Sequence, residues 1–554
     1  MSAVQSRLAI RLFATFVWFT VLAGQFWRNL GGWWGFGVIA AIVIIGSVIG
    51  LRTQRVNARN RAAATELAAA IPAHANARAN TAAAVTPTRA TSHSAPAALT
   101  AVPNPASNSA RASAQSAASA AAQALAPAAP SSPPLAATSA AAVAAAVAAA
   151  ASTPADDTPT DRDIARGHTY QAALAPALNW RKFPKTITAF LLLATLSFAW
   201  SYYPGASAVG IALQFITTLA ALFLAVTLTW PELLRTLAGA LRWVLALSLA
   251  FELFVAVVIQ NPVLPFFVDY GTTKVPNAFY WSRGLLLGGG PIEGIVANRN
   301  LLGFIALLAV IVFAVQLRAH TVKRTSGLIW LALAVGMLVL TRSATVTVSI
   351  LAVVAALVFA LWARTLHDQH RRPLYAVAAA GLVGVAAIFA LFSHQIFTLL
   401  GRSSDLTGRF DIWASVTQLA SERPVFGWGW VSYWAPWVEP FNDLAVRKGV
   451  TYLQAHNAWL DVWLQLGIVG VILFAALVFS TLWRAWFLAV DRPRLGVPNT
   501  EPFAVSALLP LLLLVALIAQ SVAESRLLIE SGWVILIVLA IVTKRQQHAP
   551  RPMP

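Results

Sequence analysis

The stretch that decides the fold is RNLLGFIALLAVIVFAVQLR, residues 299–318, which carries no charge between its two terminal arginines. About 20 consecutive apolar residues are needed for a helix to cross the hydrocarbon core of a bilayer. Similar runs recur along the 554 residues of the chain, of which 58% are hydrophobic and 11% charged. Soluble domains carry about 25% charged residues, so this composition excludes an ordinary cytosolic protein. The sequence predicts an all-α polytopic membrane protein.

Outward from this run, comparable apolar segments occur on both sides. The predicted spans are 8–26, 33–51, 186–203, 207–229, 240–260, 299–318, 326–342, 344–363, 374–398, 457–483, 502–522 and 527–543. We therefore expect about twelve transmembrane helices. The alanine run at 136–151 is not counted, because alanine is weakly hydrophobic and a further span there would invert every later segment.

The net charge of +19 reflects membrane topology rather than nucleic-acid binding. The cations concentrate in alternate connections, namely Arg181, Lys182 and Lys185; Arg235 and Arg242; Arg318, Lys323 and Arg324; Arg364, Arg371 and Arg372; Arg484, Arg492 and Arg494; Lys544 and Arg545. Cytoplasmic loops are enriched in Lys and Arg. Both termini are therefore predicted to be cytoplasmic, and the two long connections at 261–298 and 399–456 are predicted to face outward.

The segment 52–180 has the composition of a linker. It is rich in Ala, Pro and Ser, and no aromatic residue occurs between Phe36 and Tyr170. Such a segment buries too little apolar area to offset its chain entropy, so it is predicted to be a disordered cytoplasmic linker. The predicted organisation is two transmembrane helices at 1–51, this linker, a transmembrane domain at 181–545 and a cytoplasmic tail at 546–554.

The outward connections and turns carry arginines, against the usual bias. They are Arg299, Arg342, Arg402, Arg409 and Arg423. The fixed fork of arginine binds phosphate oxygens in bidentate fashion, so their number favours a polyanionic ligand on the outer face. Arginines beside spans also reach lipid phosphates, and this alternative stays open. The chain has no Cys, which excludes disulfides, thiolate nucleophiles and Cys-based metal sites. No metal and no cofactor are expected.

Other outward residues suit chemistry at a membrane surface. His456 precedes a span, where it could act as a general base or cap the helix. Trp428 and Trp430 could stack on sugars or belong to the interfacial aromatic belt. The apolar positions Phe410, Trp413, Val416 and Ala420 fall on one helical face of 406–420, which predicts an interfacial helix.

Several motifs together resemble one family. They are LTGRFDIWASVTQLASERPVFGWGW at 406–430, AHNAWLDVWLQLGIVGVILF at 455–474, GIVANRNLLG at 294–303, TRSATVTVS at 341–349 and ESRLLIESGW at 524–533. In these segments the chain resembles the O-antigen ligase and polysaccharide polymerase family of bacterial membrane glycosyltransferases. The resemblance covers roughly 186–543 and leaves the linker out.

The resemblance implies a GT-C-like, metal-independent, inverting glycosyltransferase of the bacterial cytoplasmic membrane. It would move a glycan from an undecaprenyl-diphosphate carrier to a lipid, lipoglycan, cell-wall or glycan acceptor at the outer face. Arg409 and His456 inherit the essential Arg and His roles. The residues expected at the diphosphate are Arg409, Arg402, Arg299, Arg342 and Arg423, and those expected at the sugar or acceptor are Asn457, Trp428, Trp430 and Asp411.

Alternatives remain at this point. Asp411 or Glu422 could replace His456 as the general base. A polymerase would differ from a ligase only in its acceptor. A lipid-linked glycan transporter would show inverted repeats and ionisable residues at mid-membrane, and neither is evident. A non-catalytic scaffold would act through its linker. The sequence leaves the sugar, the linkage and the oligomeric state open.

Overall fold

A computed structural model describes residues 3–82, 183–267, 275–366, 370–399, 407–447, 450–491 and 504–547. Most of the predicted linker, the alanine run at 136–151, Arg402 and the last residues of the tail lie outside these ranges. The chain divides into two units, residues 1–58 with 135–554 and residues 59–134. The described part of the second unit is the carboxyl end of one helix.

The described ranges are almost entirely helical. The α-helices are α1 (Ala3–Leu22), α2 (Gly24–Ala82), α3 (Lys185–Leu196), α4 (Pro204–Thr227), α5 (Trp230–Phe254), α6 (Arg299–Arg318), α7 (Arg324–Thr341), α8 (Ala344–Thr365), α9 (Arg372–Leu399), α10 (Thr407–Glu422), α11 (Ala458–Val490), α12 (Leu509–Ser521) and α13 (Glu530–Gln547). A two-stranded antiparallel ribbon joins β1 (Val446–Arg447) to β2 (Val450–Thr451).

Every predicted span coincides with a described helix. Seven helices within the described ranges are long and apolar enough to cross a membrane: Gly24–Val56, Pro204–Thr227, Trp230–Ile259, Arg299–Arg318, Arg324–Thr341, Ala344–Thr365 and Ala458–Val490. Two shorter apolar helices cover Lys185–Trp200 and Val505–Ser521. The prediction of a multi-pass, helical membrane protein is confirmed, and the count of about twelve spans remains a prediction.

The structure describes the first part of the predicted linker as helix, and the predicted linker at 52–180 as a whole remains a prediction. Helix α2 continues from the membrane segment to Ala82. This extension is rich in Ala and Arg, which are strong helix formers, so local propensity extends the helix without an apolar face to bury.

The quoted run forms the buried centre of the bundle. In the most apolar 18-residue stretch of α6, 89% of the residues are buried inside the protein. They are buried because α6 packs against α5, α7, α8 and α12. Other helices keep large apolar side chains exposed, as at Trp34, Ile329 and Leu391. Apolar side chains on the outside of a bundle are expected where the surroundings are lipid.

Three helices begin at polar caps close to one another. Asn298 accepts hydrogen bonds from Asn300 N and Leu301 N at the start of α6. Ser343 caps α8, and Asn457 caps α11. Side-chain caps satisfy the unpaired N–H groups of a first turn, so these three starts are well defined in the sequence.

A buried carboxylate attaches the connection at 261–298 to the bundle. Glu252, at the end of α5, is fully buried. Its side chain accepts hydrogen bonds from Ser282 Oγ at 2.8 Å, from Glu293 N at 3.0 Å and from Gly294 N at 2.6 Å. A buried carboxylate requires such donors, so this connection is held in one place.

The segment 424–429 of the other long connection lies on a break in α11. Gly467 interrupts α11 with φ of 64°, and a Cβ there would approach Val425 C to 2.2 Å. The interrupted helix accepts hydrogen bonds from Trp428 N to Leu464 O and from Gly429 N to Gln465 O. Only glycine permits this close approach and this φ at position 467. The FGWGW motif at 426–430 therefore packs directly on the break in α11.

The predicted topology can be tested with single cysteines, because the native chain has none. Asp443→Cys lies in the connection 399–456 and Ser326→Cys lies near the start of α7, and both parent residues are exposed. We expect a membrane-impermeant maleimide to label Asp443→Cys in intact spheroplasts and Ser326→Cys only after permeabilisation. The reverse pattern would contradict the predicted orientation.

Candidate active site

The carboxylate of Glu524 joins several predicted motifs. Its Oε1 accepts hydrogen bonds from Arg409 Nη2 at 2.8 Å and from Asn300 Nδ2 at 3.1 Å. Its Oε2 lies 3.0 Å from His456 Nδ1. The Glu524 side chain is 6% exposed, against 14% for Arg409 and 16% for His456. A nearly buried acid therefore holds a cation and an imidazole that both keep limited access from outside.

Different elements deliver these groups to one place. Arg409 lies in the first turn of α10, and its Nη1 also reaches Thr345 Oγ1 in α8 at 3.4 Å. Asn300 lies in the first turn of α6, and its Oδ1 accepts a hydrogen bond from Ser343 Oγ at 2.8 Å. The NRN, TRSAT and GRF motifs are thus neighbours in space.

The backbone at His456 is left-handed, with φ of 51°. Non-glycine residues rarely adopt this conformation, and it is found disproportionately at functional sites. Below it, the buried Asp461 accepts hydrogen bonds from Ala455 N at 3.1 Å and from Ser525 Oγ. Ser525 Oγ in turn accepts a hydrogen bond from Asn457 N at 3.2 Å. These contacts fix the turn that carries His456 against the turn that carries Glu524.

The electrostatics keep Glu524 ionised. Burial raises the pKa of Glu524, but the attraction of His456 and Arg409 and the hydrogen bond from His456 outweigh it, so that its pKa is lowered to about 2. The amino ends of α6, α8 and α11 also converge here. A helix amino terminus carries partial positive charge and favours anions.

The ionised state of Glu524 determines which ring nitrogen of His456 carries the proton. An ionised carboxylate can only accept hydrogen bonds, so Nδ1 of His456 carries the proton in the contact with Glu524. In the neutral ring, Nε2 is then the basic nitrogen. Among the described residues, Nε2 has no hydrogen-bond partner. The arrangement leaves a free base beside an arginine, which suits proton abstraction from a hydroxyl near an anionic group.

Several predicted site residues lie elsewhere. The ring of Trp430 is fully buried against Phe190, with ring centroids 5.5 Å apart, and its predicted contact with sugar remains a prediction without an exposed ring face to support it. Trp428 is 9% exposed and packs under Arg423, whose Cζ lies 4.4 Å from the ring centroid. Both tryptophans serve packing because the FGWGW segment lies on α11.

Helix geometry separates the other predicted residues of α10. Fourteen residues of helix span about 21 Å, so Arg423, just beyond the end of α10, is remote from Arg409 in its first turn. Asp411 is exposed and lies about 200° around the helix from Arg409. Glu422 is exposed at the far end. The carboxylate that contacts His456 is therefore neither of the two acids predicted as an alternative base.

The remaining predicted residues lie close to the site. Arg299 begins α6, next to Asn300. Arg342 ends α7 with φ of 48° and reaches toward Gly289 in the connection 261–298. The side chain of Asn457 caps α11 by accepting hydrogen bonds from Trp459 N and Leu460 N. Its predicted contact with the acceptor remains a prediction. Among the described residues, no group of three or more His, Asp or Glu side chains is placed to hold a metal ion.

Sequence reasoning missed Glu524. It lies in the ESRLLIESGW motif, which was recognised only as part of the family resemblance. The available signal was an acidic residue in an outward turn between two apolar runs, where an unpaired carboxylate is costly. No spacing links it to Arg409, which lies 115 residues earlier, so the pairing required the fold.

Comparison with known proteins is consistent with this arrangement. Residues 327–475 match the O-antigen ligase family. The predicted family resemblance is confirmed. The matched O-antigen ligase segment runs from α7 into α11 and contains Arg342, Arg409 and His456, whereas Asn300 and Glu524 lie outside it.

A curated relative points to the same group of proteins. The exopolysaccharide production protein ExoQ of Rhizobium meliloti (strain 1021) is 29% identical over 205 residues, covering 34% of this chain and 45% of that protein. The chain thus matches less than half the length of this relative. Together the two matches support a family of membrane glycan ligases and polymerases and a glycosyltransferase-like enzyme.

The lowered pKa of Glu524 predicts a pH-dependent contribution to stability. A carboxyl whose pKa falls from 4.5 to about 2 on folding stabilises the protein by roughly 3 kcal/mol at neutral pH. This contribution is complete above about pH 5 and is lost as the pH falls from 4.5 toward 2. We expect Glu524→Gln to lower the melting temperature at pH 7, and the difference from wild type to shrink below pH 4.5. A difference that is constant from pH 7 to pH 3 would contradict this account.

Proposed function

We propose that the protein transfers a glycan from an undecaprenyl-diphosphate carrier to an acceptor hydroxyl at the outer face of the bacterial cytoplasmic membrane. The observation that carries the proposal is the contact of one ionised carboxylate, Glu524, with both His456 and Arg409. This contact leaves Nε2 of His456 free to act as a base and places the guanidinium of Arg409 beside it. Transfer from a diphosphate requires both groups.

In the proposed reaction, the acceptor hydroxyl oxygen attacks the anomeric carbon of the donor sugar. The bond from that carbon to the diphosphate oxygen breaks, and its electron pair leaves with the diphosphate. His456 Nε2 takes the hydroxyl proton. Because the nucleophile enters opposite the leaving group, the anomeric configuration inverts. Glu524 stabilises the imidazolium that forms, as the buried acid does in other acid–histidine pairs.

Arg409 stabilises the departing diphosphate. A guanidinium keeps its charge and presents several donors to phosphate oxygens. Such preorganised donors act where charge develops in the transition state. Arg299, Arg342 and Arg402 extend this cationic surface in the proposal, and the three helix amino ends add to it. Arg423 is omitted because α10 carries it away from Arg409.

The placement of charge favours an enzyme over a transporter. The buried acids Glu232, Glu252 and Asp461 lie within a turn or so of helix ends, and Glu524 lies between helices. Transporters of lipid-linked substrates are expected to carry ionisable groups near mid-membrane. In our proposal the twelve predicted transmembrane spans form a GT-C-like scaffold, and the reaction takes place at its outward end.

Ligase and polymerase forms of this reaction differ only in the acceptor. A ligase would use a lipid, lipoglycan or wall acceptor, and a polymerase would use a second carrier-linked repeat. We favour the ligase form on the strength of the O-antigen ligase match. The product of the assay below separates the two.

The proposal is tested with purified protein in nanodiscs, incubated with undecaprenyl-diphosphate-linked glycan and membrane extract. We expect wild type to release undecaprenyl diphosphate both with and without chelator. Glu524→Gln, Arg409→Ala and His456→Ala should each slow release by about 100-fold or more. Asp443→Asn, which changes an exposed carboxylate elsewhere in the connection 399–456, is the control and should retain the wild-type rate.

Two outcomes would overturn the proposal. Wild-type rates in Glu524→Gln would show that the acid does not support the base. Binding of the carrier lipid without release, across lipid, wall and glycan acceptors, would instead favour a transporter.

A further inference from the structure

Besides Arg409, a second cation lies near Glu524, toward Glu530. Arg409, Asn300 and Ser343 approach Glu524 from α10, α6 and the start of α8. Arg526 follows Glu524 by two residues and is bound to Glu530 at 2.6 Å, at the start of α13. Glu524 thus has two cationic neighbours, and Arg526 defines a second side of the site, toward Glu530.

The turn between the first two helices brings a further cation to this second side. Gly24 lies against Glu530, since a Cβ there would be 3.8 Å from Oε1. Asn29 O accepts a hydrogen bond from Phe266 N at 3.2 Å. The first part of α2, which carries Arg28 and precedes the break at Gly32, therefore packs against both Glu530 and the connection 261–298.

Among the residues that the structure describes, the guanidinium of Arg28 makes no ion pair with an acid. Its Cζ lies 5.0 Å from the centroid of the Trp33 ring, and its buried Nε has no hydrogen-bond acceptor among the described residues. Stacking on an aromatic face leaves the N–H edge of a guanidinium available to an anion. Because a buried donor without an acceptor is costly, an oxyanion at this position would be favoured.

Tyr433 lies near both cations. Burial raises the pKa of its hydroxyl above the ordinary value, and Arg526 and Arg28 both oppose that rise, which places both guanidinium groups near the hydroxyl. The hydroxyl has no hydrogen-bond partner among the described residues. The three side chains present donors to one region, in which the carboxylates of Glu530 and Glu524 are the acidic neighbours.

We propose that Arg28, Tyr433 and Arg526 form a second oxyanion site beside Glu524, and that it holds a phosphate or carboxylate group of an anionic acceptor glycan. The inference rests on the proposed function, since only a transferase has an acceptor. Arg409 serves the donor diphosphate, so an anionic acceptor at the same centre needs separate neutralisation to approach it. The first two helices thereby contribute directly to acceptor selection.

The kinetic test compares Arg28→Gln with Arg52→Gln in the full-length protein. Arg52 is exposed beyond the break at Gly32 in α2, toward its predicted cytoplasmic end, and makes a matched control. With an anionic acceptor we expect Arg28→Gln to raise the acceptor KM at least 10-fold, with kcat changed less than 3-fold and the donor KM unchanged. A neutral acceptor should show no such rise. A rise in the donor KM alone would overturn the acceptor assignment.

A binding test separates this site from the proposed reaction. Inorganic phosphate is titrated into each protein in nanodiscs at constant ionic strength. We expect Arg28→Gln to weaken phosphate binding at least 5-fold relative to wild type and to Arg52→Gln. Equal binding in all three proteins would overturn the site. Binding that depends on Arg28 in a wild-type protein that transfers no glycan would support the oxyanion site and overturn the proposed function.

Discussion

The buried carboxylate of Glu524 is the interaction on which the rest of the site depends. An acid that is 6% exposed stays ionised only because cations and donors surround it. Those partners come from α6, α10 and the turn before α11, so the cost of burying one charge determines where three separate segments must meet. The same charge fixes the proton on His456 Nδ1 and thereby leaves Nε2 basic.

The helices around Glu524 stabilise its charge and hold the long connections in place. Their caps at Asn298, Ser343 and Asn457 begin three helices at the same place, so that partial positive charge converges there. Their buried polar contacts, at Glu252 and Asp461, hold the long connections against the bundle. A reaction between anionic partners at a membrane surface needs this kind of positive, preorganised setting, and the proposed second oxyanion site extends it toward the first two helices.

Apolar runs predicted the helices well, because about 20 apolar residues have few alternatives to crossing a membrane. The motifs also identified Arg409 and His456. Periodicity and motif content did not identify Glu524, because its partners lie far away in the sequence and its role depends on burial. For the same reason they did not show that Trp430 is buried. An aromatic residue in a loop looks available for sugar stacking, and only the break in α11 at Gly467 shows that the loop packs inward. At 52–82 the structure continues α2 into the predicted linker, because Ala and Arg favour a helix even without an apolar face.

The tautomer of His456 tests the central claim most directly. Nitrogen-15 NMR of histidine-labelled protein in nanodiscs would identify the His456 signals by their loss in His456→Gln, among the nine histidines of the chain. The account predicts that neutral His456 carries its proton on Nδ1 in wild type and that Glu524→Gln removes this preference. A wild-type His456 protonated on Nε2 would contradict the account, because the base proposed to receive the acceptor proton would already be occupied.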